Sequence, residues 1–243
     1  MEQHVTPIHV SKNILGNKPL VGIFGGTFNP VHLGHMRLVV EVMESVCPAR
    51  LDLLPNARPP HKGGRRMLPF ALRVNLLHAA IQGMKNVQVN TMESERNGPS
   101  YTIDTLRLYC EREPDVRHFF VIGAEDFSLI ATWQRWELLP HFADIIVVPR
   151  SEAAGEVFSE TVRDLWPDAV PVVPPFAAAD RAYALPGISN AGVFVHLPLP
   201  RLDIRAELIR ERLLVGRSVR FLVPETVHQA LLNNVETIDL WRA

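Results

Sequence analysis

The chain has 243 residues, a hydrophobic fraction of 47% and a formal net charge of −1. That is enough apolar material for one large α/β domain, and the near-zero charge argues against broad electrostatic binding to nucleic acid or an anionic membrane. Two isolated cysteines, Cys47 and Cys110, make neither a disulfide framework nor a zinc motif, which points to a reducing cytoplasm. The first twenty residues lack the apolar stretch of a signal peptide, and residues 1–18 read as a loose extension.

The elements alternate between strand and helix, the pattern of an α/β, Rossmann-like, doubly wound parallel sheet with a small C-terminal helical part. Residues 19–200 form the Rossmann-like domain in this reading, with a loop-rich insert at 151–192, and residues 201–243 form the helical subdomain. Leu20–Phe24 read as a buried strand, 34–46 as a helix, Arg50–Pro55 as a second strand and Pro69–Gln82 as a helix with Leu72, Leu76, Leu77 and Ala80 on its buried stripe. A short strand starts at Val87, and a helix covers Ser100–Glu113. His118–Gly123 and Asp144–Pro149 are apolar runs typical of buried strands, with a short helix at Trp133–Leu139 between them. The Pro- and Ala-rich stretch 151–200 carries one short helix near 156–166, and Val193–Leu197 reads as the last strand of the sheet. Helices at Asp203–Val215 and Pro224–Asn233 close the chain.

The chemistry concentrates where the first strand meets the first helix, in GGTFNPVHLGHM, residues 25–36. Glycines let a phosphate approach the backbone, and a helix N-terminus presents N–H groups and a positive dipole end to an anion. His32 and His35, three apart, share a face of the first turn and can address the same phosphates. Taken alone, Gly25-Gly26 would be a tight turn and the two histidines half of a zinc site; the twelve-residue combination is far more specific. PNARPPHK, residues 55–62, follows the second strand, at the sheet edge where ligands bind in open parallel sheets, and supplies Asn56, His61 and Lys62. GPSYTIDTL opens a helix, with Ser100 as N-cap and Thr102 in the first turn. Gly123-Ala124-Glu125-Asp126 and Pro149-Arg150 end two further strands. Between them, Trp133 suits stacking on a planar ligand and Trp136 suits the core.

The first segment resembles the T/HxGH signature of nucleotidyltransferases. Together, GGTFNPVHLGHM, PNARPPHK, GPSYTIDTL, VIGAEDF with TWQRW, and IIVVPR resemble the bacterial nicotinate-nucleotide adenylyltransferase family, in the family order over residues 20–150. The resemblance implies AMP transfer from ATP, with Mg²⁺, to nicotinate mononucleotide in NAD biosynthesis. It implies His32, His35 and Lys62 as catalytic groups; Gly25, Gly26, Thr27, Phe28, Gly123, Asp126, Arg150, Arg205 and Arg210 on the ATP side; and Asn56, Lys62, Thr102 and Trp133 on the acceptor. No metal-ligating residues are implied, and neither nucleic acid nor membrane is an expected partner; self-association into a homo-oligomer stays open.

One segment departs from the pattern. Where the family reads ISSTxIR, this chain has Ile204-Arg205-Ala206-Glu207-Leu208-Ile209-Arg210, so three hydroxyls are replaced and Arg210 is kept. Arg205 is a charged replacement donor, while Glu207 would repel a triphosphate unless paired. Two other readings stay open: a nucleotidyltransferase for nicotinamide mononucleotide or another phosphate monoester, and a non-catalytic nucleotide-binding homologue.

Overall fold

The computed structural model describes residues 15–59, 67–149, 153–187, 192–234 and 239–241. It divides into two compact units, Ile23–Tyr101 with Pro200–Ala243, and Met1–Gly22 with Thr102–Leu199. Both are built on the α/β pattern, and the boundary falls within strand β1 (Leu20–Gly26).

The unit built on residues 23–101 and 200–243 carries the end of β1, β2 (Arg50–Pro55) and β3 (Val87–Val89), in the order β3-β2-β1, with β2 and β3 parallel. Its helices are α1 (Leu33–Val46), α2 (Phe70–Ala80), α6 (Ala206–Leu214) and α7 (Glu225–Leu232). The apolar stripe of α1 is Met36, Val39, Val42 and Val46, spaced as the helical period demands. The Thr226 hydroxyl donates to the Ala79 carbonyl and ties α7 to the end of α2.

The stripe of α2 differs from the sequence expectation. Its buried residues are Arg73, Leu76 and Leu77, while Leu72 and Ala80 are half-buried. The spacing is right and the surprise is chemical: a guanidinium lies where an aliphatic side chain belongs.

The other unit carries α3 (Thr102–Arg112), β4 (Arg117–Gly123), the five-residue helix α4 (Ala124–Ser128), β5 (Asp144–Val148), α5 (Ala154–Leu165), β6 (Val170–Pro171), β7 (Arg181–Ala184) and β8 (Phe194–His196). Strand order is β4-β5-β8-β7-β6. β4, β5 and β8 run parallel, and β7 is antiparallel to both β8 and β6. β4 and β5 are buried along nearly their whole length, as continuous Val/Ile/Phe runs require, and each such side chain contributes roughly 1.5–3 kcal/mol.

Residues 193–197, expected as the last strand of the sheet, hold β8, which is last in chain order and lies between β5 and β7. The stretch expected to be loop-rich with one short helix near 156–166 holds that helix as α5, and beyond it two short strands that continue past β8 as an antiparallel edge. Trp133–Leu139, expected as a helix, is replaced by a 3₁₀ turn at Trp136–His141.

Electrostatics anchor β5. Arg117 forms a bidentate pair with the buried Asp144, at 2.6 and 2.7 Å, and Asp144 also accepts the Val193 N–H at 2.8 Å. Burial pulls the Arg117 guanidinium down, and the hydrogen bonds and charge of Asp144 raise it above its usual value. Lys18 donates to the Pro114 carbonyl, so the end of the expected N-terminal extension is held; residues 1–14 lie outside the described residues.

Candidate active site

The end of β1 turns sharply before α1 begins. Phe28 has φ of 47°, in the left-handed region, and its ring is buried. A Cβ at Gly26 would meet that ring at 3.0 Å, so Gly26 is the residue that lets Phe28 fold back beneath the turn. Phe28 meets the His35 ring edge-on, with centroids 5.0 Å apart, and Phe24 packs against Phe28 at 5.6 Å. An apolar pair therefore supports one side of the His35 imidazole.

His32 is the N-cap of α1 in extended conformation, and His35 stands one turn on. Their rings stack with centroids 3.7 Å apart. The His32 backbone N–H donates to His35 Nδ1 at 3.3 Å, which leaves the proton of a neutral His35 on Nε2. That nitrogen is then a donor suited to a phosphate oxygen. The intervening Gly34 is sterically required: a Cβ there would come within 3.0 Å of His32 Nδ1 and 3.2 Å of the Ile204 carbonyl oxygen. No acidic side chain lies in the first turn of α1, so nothing there opposes an anion. One of the N–H groups expected to face a ligand is already used, because Leu33 donates to the Leu222 carbonyl at 3.0 Å.

The loop after β2 is laced to its surroundings by backbone bonds. Asn56 N–H donates to the Gly26 carbonyl at 2.9 Å, Arg58 N–H donates to Ser100 Oγ at 3.0 Å, and Ser100 N–H returns a bond to the Arg58 carbonyl at 2.9 Å. Ser100 was expected as a helix cap; its hydroxyl holds this loop, and α3 begins at Thr102. Lys62 and His61 lie outside the described residues, as does Arg150.

Arg73 and Glu93 are structural members of this region that sequence reasoning missed. Arg73 is 1% exposed and donates to the carbonyls of Leu68 (3.2 Å), Thr27 (2.8 Å) and Asn56 (2.9 Å). Burial lowers its guanidinium below the usual value, and the charge of Glu93 offsets part of that. The signal was available: position 73 falls three and four residues before Leu76 and Leu77, on the stripe that must be buried.

At the departing segment, Arg205 is the N-cap of α6, with its side chain 70% exposed and 3.8 Å from Asp203; Glu207 is exposed in the first turn. Arg210 donates to the Asn29 carbonyl at 2.9 Å and ties α6 to the turn before α1.

The remaining residues expected at the site belong to the other unit. Gly123 ends β4 and is the N-cap of α4, Asp126 is exposed in the first turn of α4, and Thr102 opens α3. Trp133 is half-buried with its ring edge-on to Phe120 at 6.2 Å. Trp136 packs edge-on against the buried Trp166 at 5.1 Å, and Trp166 in turn packs against Phe194 at 4.5 Å. Among the described residues, no group of three or more His, Cys, Asp or Glu is placed to hold a metal ion, and no helix is long and apolar enough to cross a membrane.

A glycine-rich strand end leading into a histidine-capped helix, within a mostly parallel sheet, defines a nucleotidyltransferase. The chain belongs to the cytidylyltransferase-like family, whose family model matches residues 23–212. Among its relatives, a Pseudomonas paraeruginosa protein named "Probable nicotinate-nucleotide adenylyltransferase" is 40% identical over 224 residues, covering 92% of this chain and 97% of that protein. A Marinobacter nauticus protein of the same name is 37% identical over 210 residues, covering 86% and 92%. The fold matches that of Plasmodium falciparum nicotinic acid mononucleotide adenylyltransferase, solved with NaAD, at a TM-score of 0.66 and 14% identity over 92% of this chain and 98% of that one.

Proposed function

We propose that this enzyme transfers AMP from ATP to nicotinate mononucleotide, releasing pyrophosphate and nicotinate adenine dinucleotide, as a cytoplasmic step of NAD biosynthesis. The observation that carries the reading is the His32–Gly34–His35 arrangement, in which the two imidazoles stack at 3.7 Å at the head of a helix free of acidic residues in its first turn.

The acceptor phosphate is already anionic at neutral pH, so the reaction needs neither a strong base nor a covalent protein nucleophile. The work is to hold two polyanions in line and to neutralise charge as the α–β phosphate bond breaks. His35, carrying its proton on Nε2, donates to a phosphate oxygen, and His32 supports it. Gly25, Gly26, Thr27 and Phe28 line the nucleotide, with Gly123, Asp126, Arg150, Arg205 and Arg210 on the ATP side. Asn56, Lys62, Thr102 and Trp133 hold the pyridine nucleotide, with Trp133 stacking on its ring. The described residues at the head of α1 bring imidazole and backbone N–H groups, which suit phosphate oxygens, so a Mg²⁺ ion would be held by the oxygens of the triphosphate that carries it. Such an ion would offset the negative charge of the departing pyrophosphate.

The test is pyrophosphate release from the purified protein with ATP and Mg²⁺, comparing nicotinate and nicotinamide mononucleotides. A strong preference for the nicotinate form supports the reading. Preference for the nicotinamide form reassigns the acceptor, and ATP binding with no release from either points to another phosphate-monoester acceptor or to a non-catalytic homologue.

A further inference from the structure

We infer that Arg73 and Glu93 are positioning residues: they grip the two ends of the Asn56–Ala57 peptide and fix the acceptor loop against the phosphate loop. The inference rests on the reading of Asn56 as an acceptor-binding residue and goes beyond it.

The geometry centres on one peptide unit. Its carbonyl, from Asn56, accepts from Arg73 Nη2 at 2.9 Å. Its N–H, from Ala57, donates to Glu93 Oε2 at 3.2 Å. A cation therefore holds the negative end of this peptide dipole, and an anion holds the positive end. The Asn56 N–H is fixed as well, on the Gly26 carbonyl at 2.9 Å. The N–H and the carbonyl of Asn56 and the N–H of Ala57 are all committed, so the Asn56 side chain leaves the loop from a fixed base.

The second arm of the guanidinium sets the spacing between loops. Arg73 Nη1 donates to the Thr27 carbonyl at 2.8 Å, in the turn that leads to the histidines. One rigid planar group thus bonds to the Thr27 and Asn56 carbonyls at once. Its Nε–H, on the Leu68 carbonyl, anchors it to the start of α2. Lysine has no such fork and cannot span two carbonyls in a fixed plane.

Both side chains are almost wholly buried, at 1% for Arg73 and 5% for Glu93. Burying opposite charges is a poor route to stability compared with packing apolar groups of the same volume. Fixing a reacting geometry to a fraction of an ångström is what such a pair supplies, and misplacement on that scale slows a reaction by large factors.

The experiment compares wild type with Arg73→Lys, Arg73→Met and Glu93→Gln. Amide hydrogen exchange at Asn56 and Ala57 is measured, with Tm, ATP affinity, and kcat and KM at a temperature well below Tm. Glutamine keeps an acceptor for the Ala57 N–H and removes only the charge. The expected result is exchange at these two amides at least tenfold faster in all three variants. kcat falls at least tenfold in Arg73→Met and less in Arg73→Lys, while ATP affinity stays within about threefold. Unchanged exchange at Asn56 and Ala57 overturns the inference, as does a lowered Tm with kcat per folded molecule unchanged. If the Arg73 variants do not fold, Glu93→Gln decides by the same criteria. A wild type that transfers nothing to nicotinate mononucleotide overturns the functional reading alone, because the exchange measurement still tests the clamp.

Discussion

The backbone N–H of His32 donates to Nδ1 of His35, and the two rings stack face to face within one helical turn. The first histidine thus chooses the tautomer of the second through its main chain and steadies its ring through its side chain. His35→Ala is therefore expected to lower kcat by about 10²–10⁴-fold, the range for loss of a positioned donor to developing charge. Circular dichroism and Tm should stay near wild type, since the half-buried ring leaves no large cavity. Near-normal turnover would remove His35 from the chemistry.

Gly34 tests whether the stack itself matters. An added methyl would press on both the His32 ring and the Ile204 carbonyl, and the carbonyl is backbone that yields reluctantly. Gly34→Ala should cost roughly 1–3 kcal/mol of stability and at least tenfold in kcat. A chemical denaturation curve and steady-state kinetics on the same preparation check both numbers.

How far the sequence revealed this molecule depended on whether a segment announced itself by one strong local signal. β1, β4 and β5 are continuous apolar runs, and the Gly-Gly turn into α1 needs no tertiary knowledge. β6 and β7 are short and flanked by prolines, and they exist because β8 offers an edge to pair with. No window of a few residues contains that fact. Arg73 was hidden for a different reason: a helical pattern treats charge as a surface marker, and its burial depends on three carbonyls, two of them 17 and 46 positions away. The spacing of His32 and His35 and the turn at Gly26 are legible in a short window, whereas the bonds between Arg58 and Ser100 join residues 42 positions apart.

The Arg117–Asp144 pair should prove structural. Asp144→Ala leaves a partly buried guanidinium without its bidentate partner and removes the acceptor of the Val193 N–H, at a cost of about 3 kcal/mol. Differential scanning calorimetry should show a lowered Tm, with kcat per folded molecule little changed.

Cys110 gives a pH-dependent signature. Burial raises its thiol above the usual value, with Glu111 reinforcing the shift and Lys18 opposing it, and its Sγ donates to the Phe142 carbonyl at 3.1 Å. The unfolded thiol loses its proton before the folded one does. Its contribution to stability is therefore complete below pH 9, the ordinary thiol value, and is lost as the pH rises from there towards the folded pKa. The denaturation midpoint of wild type should fall more steeply above pH 9 than that of Cys110→Ala. In alkylation with iodoacetamide, the exposed Cys47 should react first.

The proposed stacking role of Trp133 on the acceptor is open to a direct test. Trp133→Ala should raise KM for nicotinate mononucleotide about tenfold, in line with one lost stacking contact, and leave KM for ATP unchanged. Trp136→Ala, which instead strips an edge-on partner from Trp166, should act on Tm.

The position of β8 has a consequence for biosynthesis. The strand is made late in this unit, at residues 194–196, yet it sits between β5 and β7 and hydrogen-bonds to both. A nascent chain that has emerged only as far as α5 therefore exposes a flank of β5 rich in isoleucine and valine, with its partner still inside the ribosome. Until Val195 arrives opposite Ile146, that flank is open to pairing with another chain. The Pro-rich stretch that precedes β8 is thus the interval during which a chaperone has most to protect.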